Sequence, residues 1–123
     1  MKIQQRIVDN VAIVDLTGDL SANRDGDLLT DKVRSLIQQG YLHIVVDLGN
    51  VPYMDSSGLG ELVQTLATTR KAGGELTLMR VTRRLQDLLA ITKLLTVFDT
   101  YEDEASALAN FARTSETAQI EIR

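Results

Sequence analysis

Residues 44–60 are Ile-Val-Val-Asp-Leu-Gly-Asn-Val-Pro-Tyr-Met-Asp-Ser-Ser-Gly-Leu-Gly, and their pattern is the clearest indication of the fold class. The first five residues of this stretch form a short run that is rich in β-branched residues and nearly all apolar. Such a run is typical of a strand buried on both faces of a parallel or mixed sheet. Its last six open a helix whose apolar residues recur at helical spacing: Leu59, Leu62, Val63 and Leu66. The stretch therefore predicts a central strand, a connector and a covering helix.

The pattern continues on both sides of this unit. Upstream, we predict an edge strand over residues 2–7, a tight turn at Asp9-Asn10, a strand over 11–16 and an amphipathic helix over 25–39. Downstream, strands are predicted at 76–79 and 96–98. Helices are predicted after an N-cap at Thr82 and over 102–112, the latter with Ala105, Leu108 and Ala109 facing inward.

The predicted order ββαβαβαβα indicates an α/β fold. Strands that alternate with helices form a parallel or mixed sheet under helical cover, so we expect about five strands in one mixed, mostly parallel sheet and about four helices. The 123 residues suit one domain, which we place at 1–112, followed by a polar tail at 113–123.

Composition excludes several classes of function. The chain has no cysteine and one histidine, His43, so neither a thiolate zinc site nor a multi-histidine metal site is expected. A net charge of −4 and 4% aromatic residues disfavour nucleic-acid binding. No apolar run approaches a membrane span, and the first residues lack a signal-peptide core. We expect a cytoplasmic protein with no metal, nucleic-acid or membrane partner.

The common enzyme motifs are absent. There is no Gly-x-Ser-x-Gly and no Walker lysine, and Gly58-Leu59-Gly60 is followed by Val63 where a dinucleotide fingerprint needs Gly or Ala. Asp47 and Asp55 are carboxylates near strand ends, but neither has an evident base partner. We predict that the chain is not an enzyme; a small enzyme that uses Asp47, Asp55 and Ser56 remains the alternative.

Residues 54–60 allow two interpretations. Asp55 or a serine could simply cap the helix. A cap needs one such residue, however, whereas this segment has two serines and two glycines, and each glycine in a helix costs about 1 kcal/mol relative to alanine. Small residues let another backbone or a phosphate approach, and a helix N-terminus tolerates added negative charge, so a phosphorylated serine is also compatible.

Residues 44–60, with Leu16–Leu20 and 71–76, resemble the signature of the STAS domain, named for sulfate transporters and anti-sigma factor antagonists. The resemblance covers about residues 2–111. It implies an anti-anti-sigma factor, which binds an anti-sigma factor serine kinase while unphosphorylated and so frees the sigma factor. The kinase supplies ATP, no cofactor is carried, and a metal-dependent serine phosphatase reverses the modification. The free protein is expected as a monomer or weak homodimer.

The resemblance also assigns residues. The serine directly after the motif's aspartate is the acceptor, which is Ser56; Ser57 is a less favoured acceptor and a helix N-terminal contact. The implied partner-binding residues are Asp19, Ser21, Asn23, Asp55, Ser57, Gly58, Leu59 and Gly60. One departure is Ser21, since related proteins often have an acid there, and Asp19 is a candidate for that role. A STAS subunit of a sensory or transport-linked complex that is never phosphorylated is the alternative.

Overall fold

The computed structural model describes residues 1–21 and 28–111. Within them a five-stranded sheet has the order β1-β2-β3-β4-β5. The strands are β1 (Lys2–Val8), β2 (Val11–Thr17), β3 (His43–Asn50), β4 (Glu75–Met79) and β5 (Asp99–Tyr101). β1 is antiparallel to β2, and each later neighbour pair is parallel, so the predicted mixed, mostly parallel sheet is confirmed.

Four helical segments alternate with the parallel strands in the described ranges. They are α1 (Leu28–Gln38), α2 (Ser56–Lys71), α3 (Arg83–Ile91) and α4, residues 104–111. The predicted order ββαβαβαβα is therefore confirmed. Residues 25–27 of the first predicted helix lie outside the described residues, as do Ala112 and the predicted tail 113–123 with its domain boundary.

The β1–β2 hairpin turns at the predicted dipeptide. Asp9 and Asn10 have φ angles of 51° and 66°, and Val8 pairs with Val11 across the two-residue loop. Both loop residues are therefore left-handed, as a tight hairpin turn requires, and Asp and Asn tolerate this conformation better than most residues.

Two apolar layers cover the sheet because successive strand residues point to opposite faces. On one face Val14, Val46 and Leu78 pack with the leucines of α1, α2 and α3. On the other, Val45 packs with Ala107 and Phe111 of α4. Residues 44–48 are all buried, so the prediction that this strand is covered on both sides is confirmed.

The last strand lies three residues later than predicted. Residues 95–97 form a turn, in which the Val97 N–H donates to the Leu94 carbonyl at 3.0 Å, and Phe98 is buried in the layer beneath α3. The chain must reverse direction after α3 before it can pair with β4. The apolar run at 96–98 therefore serves the turn and the core, and pairing begins at Asp99.

The inward face of α4 also differs from the prediction. Ala105 and Ala109 are exposed, whereas Ala107 and Phe111 are buried and Leu108 is half-buried. Burying one phenylalanine removes far more apolar area from water than burying two alanines, so Phe111 sets the rotation of the helix. In the described residues no helix has the length and apolar character needed to cross a bilayer.

Candidate functional site

Two loops at the carboxyl edge of the parallel strands lie side by side. The first, residues 18–21, follows β2; the second, residues 51–55, follows β3 and leads into α2. The Gly18 N–H donates to the Asn50 carbonyl and the Leu20 N–H to the Tyr53 carbonyl, both at 3.0 Å, and Leu20 forms an isolated parallel bridge with Met54. These bonds extend the β2–β3 pairing past the strand ends and hold the first turn of α2 against the first loop.

Asp55 is the centre of this edge. It caps α2 from an extended conformation, and its Oδ1 accepts the Gly58 N–H at 2.8 Å and the Ser57 hydroxyl at 2.7 Å. Its Oδ2 accepts the Ser21 hydroxyl at 2.7 Å. The Gly58 N–H, with the hydroxyls of Ser21 and Ser57, lowers the pKa of Asp55 from its usual value to about 2. The carboxylate is therefore charged at any physiological pH.

The two serines after Asp55 have different environments. Ser57 is half-buried and its hydroxyl is bonded to the cap. Ser56, the first residue of α2, is exposed, and its side chain has no hydrogen-bond partner among residues 1–21 and 28–111. The structure thus leaves Ser56 as the accessible hydroxyl beside a permanently charged carboxylate.

The two glycines of the segment also differ. A Cβ placed on Gly58 would overlap the carbonyl of Leu20, so this glycine lets α2 contact the first loop of its own chain. A Cβ on Gly60 would meet open space, and Gly60 is exposed. Only Gly60 is therefore open to an approaching partner.

The predicted partner-binding residues divide by exposure. Ser21, Asp55, Ser57 and Gly58 meet in the cap network, and Asp19 is half-buried on the same loop. Leu59 packs in the core and is 7% exposed, which is a structural position. Asn23 lies outside the described residues.

A sequence model described as "STAS domain" matches residues 2–107. The chain belongs to the STAS domain family. A Paenibacillus polymyxa relative named anti-sigma F factor antagonist is 30% identical over 109 residues, 88% of this chain and 92% of its own. A Bacillus subtilis relative named anti-sigma-B factor antagonist is 34% identical over 97 residues, 73% and 88% of the two chains.

The fold comparison agrees with the sequence comparison. The crystal structure of a Thermotoga maritima protein has a TM-score of 0.80 to this STAS domain, with 25% identity, and the match covers 88% of this chain and 92% of the other. The STAS fold inferred from residues 44–60 is confirmed.

A buried carboxylate that sequence reasoning missed joins the two helices of this STAS domain nearest the site. Glu61 of α2 is 4% exposed, and its Oε2 accepts the N–H groups of Leu29 and Thr30 at 3.0 and 3.2 Å. Four residues after Glu61, the hydroxyl of Thr65 forms a hydrogen bond with the hydroxyl of Thr30, with 2.9 Å between the two oxygens. The signal was present in the sequence, since Glu61, Thr65 and Thr69 recur every four residues beside the leucine stripe.

Asp47, considered above as a catalytic acid, is buried and bound to neighbouring residues of the fold. It is 1% exposed, it forms an ion pair with Arg80, and it accepts the Gly49 N–H at 2.9 Å. Burial acts to raise the pKa of Asp47, but hydrogen bonds from Arg80 and Gly49 outweigh it and hold the pKa below its usual value. Asp47 and Asp55 thus have separate partners. Among the described residues no cluster of three His, Cys, Asp or Glu could hold a metal ion.

Proposed function

We propose that this STAS domain binds an anti-sigma factor while Ser56 is unphosphorylated, and that phosphorylation of Ser56 ends the binding and so returns the sigma factor to inhibition. The single observation that carries the proposal is the exposed Ser56 hydroxyl, at the first position of α2 and next to the ionised Asp55. The names of the relatives at 30% and 34% identity support the choice of partner.

In this proposal the partner proteins carry out the chemical steps. The anti-sigma factor is a serine kinase that supplies ATP, and a metal-dependent serine phosphatase removes the phosphate. This chain then needs no cofactor of its own. Its contribution is an accessible hydroxyl on a rigid frame, and the hydrogen bonds of Asp55 to Gly58, Ser21 and Ser57 supply that rigidity.

Electrostatics explain why one phosphate suffices. A phosphate adds about −1.5 to −2 charges and three acceptor oxygens. At the first residue of a helix, those charges are favoured by the helix dipole, so this domain stays folded. Towards a partner fitted to a neutral hydroxyl, the same charges add to that of Asp55. Like charges brought together cost several kcal/mol, and about 1.4 kcal/mol is tenfold in affinity.

The test uses this chain and a purified anti-sigma factor serine kinase from the same organism. With ATP, we expect one phosphate per chain, located at Ser56 by mass spectrometry, and none in Ser56→Ala. By calorimetry, the wild type and Ser56→Ala bind the anti-sigma factor, and Ser56→Asp binds at least about 100-fold more weakly. Thermal unfolding of Ser56→Asp is expected to stay near that of the wild type.

Ser57→Ala is the matched control, because it removes the neighbouring hydroxyl and leaves the acceptor. It is expected to be phosphorylated once, at Ser56. Undiminished binding by Ser56→Asp contradicts the switch. Binding without any phosphate transfer instead identifies the unphosphorylated STAS subunit considered above.

A further inference from the structure

The outer edge of β1 is the longer of the two sheet edges in the part of the chain that the structure describes. β1 is the end strand of the sheet and has seven residues, whereas β5, the end strand on the other side, has three. An end strand presents unpaired N–H and C=O groups to its surroundings, and proteins often protect such an edge by keeping it short. β5 has this protection, but β1 is long and contains two isoleucines, Ile3 and Ile7.

The hairpin determines which residues of β1 direct their backbone groups to this edge. The left-handed Asp9 and Asn10 form a two-residue turn, and the residues that flank such a turn, Val8 and Val11, exchange both of their main-chain hydrogen bonds. The direction of the N–H and C=O groups alternates along a strand, so every second residue, starting from the one before Val8, points them outward. These residues are Ile3, Gln5 and Ile7.

The side chains of the same three residues point to the sheet face that α1 covers. Their partners in β2 are Leu16, Val14 and Ala12, which all belong to the core of that face. Ile7 is nevertheless 43% exposed. Next to Ile3, a groove of about 360 Å³ opens between β1 and α1, and Leu28 in its lining is 45% exposed. Apolar surface therefore lies directly beside the open backbone groups.

A second copy of β1 fits this edge in one register. An antiparallel pairing of two copies that includes all of Lys2–Val8 is centred on Gln5. The other facing residues are then Ile3 with Ile7, Gln4 with Arg6 and Lys2 with Val8, each pair formed twice. Outward residues face outward residues, as the ladder requires, and no like charges face each other. Centring the pairing on Gln4 instead would place Lys2 opposite Arg6 twice, which is unfavourable.

We propose that this chain forms a homodimer in which the two β1 strands pair antiparallel about a two-fold axis at Gln5 and join the two sheets into one. Directly opposite side chains have Cβ atoms about 4.5–5.5 Å apart, so Ile7 of each copy packs on Ile3 of the other, at the mouth of its groove. Arg6 adds no uncompensated charge, because Asp15 and Glu104 of its own chain bind it. The proposal does not rest on the proposed function, which concerns the carboxyl edge of the sheet.

Disulfide cross-linking tests the register, and the chain offers a background free of cysteine. In Gln5→Cys the introduced thiols of the two copies lie directly opposite each other, with about 5.5 Å between Cα atoms, which a disulfide can bridge. In Gln4→Cys they lie diagonally, about 7–8 Å apart, which is too far. With glutathione disulfide as the oxidant, which is itself reduced to glutathione, we expect a covalent dimer of Gln5→Cys on non-reducing gels and almost none of Gln4→Cys.

Sedimentation equilibrium over a concentration series measures the affinity. We expect the average mass of the wild type to rise with concentration towards that of two chains. Ile7→Ser removes both contacts between Ile7 and Ile3, and is expected to raise the dimer Kd about tenfold or more. Ile91→Ser, the same change at an isoleucine of α3 that is 80% exposed, is the matched control and leaves the Kd unchanged. Circular dichroism checks that both variants fold.

Several outcomes would overturn the proposal. A wild type that stays monomeric throughout the series has no such dimer, and equal cross-linking of Gln5→Cys and Gln4→Cys contradicts the register. Dissociation by Ile91→Ser but not by Ile7→Ser places the contact on α3 instead. Slow amide exchange at Gln5 in a monomeric wild type shows that another segment of the same chain covers the edge. None of these measurements uses an anti-sigma factor, so the switch at Ser56 is tested separately.

Discussion

Asp55 shows how much of the site depends on one carboxylate. Three donors, the Gly58 N–H and the hydroxyls of Ser21 and Ser57, bind its charged form and lower its pKa to about 2. Since the folded pKa lies below the ordinary value of 3.8, this stabilisation is complete above that value and is lost as the pH falls towards 2. At neutral pH the carboxylate beside Ser56 is ionised, and its three donors bind this charged form.

Removing one donor tests this arrangement. In Ser21→Ala the carboxylate keeps the Gly58 and Ser57 bonds but loses the hydroxyl on Oδ2. We expect the pKa of Asp55, followed by NMR of the carboxyl carbon, to rise from about 2 towards its usual value. Ser35→Ala, an exposed change on α1, is the control and leaves the Asp55 titration unchanged. An unshifted pKa in Ser21→Ala contradicts the role given to this hydroxyl.

The same contact explains the departure at position 21. The Ser21 oxygen lies 2.7 Å from Oδ2 of Asp55, so an acid in this backbone conformation would bring two carboxylates together. One of them would then bind a proton or the loop would move. The serine is therefore consistent with an ionised Asp55, and the acid nearest Ser56 along the chain is Asp55 itself.

The first turns of α2 contain two glycines in different environments. Gly58 is buried against the Leu20 carbonyl, whereas Gly60 faces open space two residues later. Alanine is the better helix former at both positions by about 1 kcal/mol, so any deviation from that preference reports the local contact.

We predict opposite effects for the two alanine substitutions in urea unfolding. Gly58→Ala forces the helix away from Leu20 and lowers the free energy of unfolding by about 2 kcal/mol, as overpacking does. Gly60→Ala raises it by about 0.5–1 kcal/mol. If Gly60 admits the partner's backbone, the stabilised variant also binds the anti-sigma factor more weakly. Equal effects of the two changes contradict the distinction drawn here.

The periodicity of apolar residues predicted most strands and helices, because their formation depends on residues that are close together in the chain. The alternation and helical spacing of apolar residues predicted the order of strands and helices, whereas the cap of α2 was left open between Asp55 and a serine. The strand at 96–98 was misplaced because its apolar residues are equally suited to a turn and a core contact. The bonds of Ser21 with Asp55 and of Asp47 with Arg80 join residues 34 and 33 apart, so no local pattern reports them.

Across the molecule, charged side chains link strands of the sheet to one another and to α4. Arg6 of β1 bonds Asp15 of β2 at 2.7 Å and Glu104 of α4 at 2.8 Å. Asp15 pairs in register with Asp47 of β3, which is joined to Arg80 after β4. Arg6 and Arg80 thus each pair with carboxylates of neighbouring elements, and the pKa of Arg6 is raised by its hydrogen bonds to Asp15 and Glu104.

The pair Asp47–Arg80 is the part of this network expected to stabilise the fold most. Arg80→Met leaves the carboxylate, 1% exposed, with the Gly49 N–H but without its cation. Breaking a buried ion pair costs about 3–5 kcal/mol; because the Arg80 side chain is 50% exposed and water can partly replace it, we expect a loss of about 2–3 kcal/mol at pH 7. Urea unfolding of both proteins measures it.

The pH dependence and a second arginine make that prediction specific to the buried charge. The folded pKa of Asp47 lies below its usual 3.8, so the pair stabilises the wild type above that value and loses its effect as the carboxylate takes up a proton. The stability difference between wild type and Arg80→Met is therefore expected to shrink as the pH falls below 4. Arg83→Met breaks an exposed pair with Asp87, 3.7 Å long, and is expected to change stability by less than about 0.5 kcal/mol. The Arg80 pair has the less exposed arginine and a buried carboxylate, whereas both side chains of the Arg83 pair are exposed, so equal losses in the two variants would show that burial of the pair is not the cause.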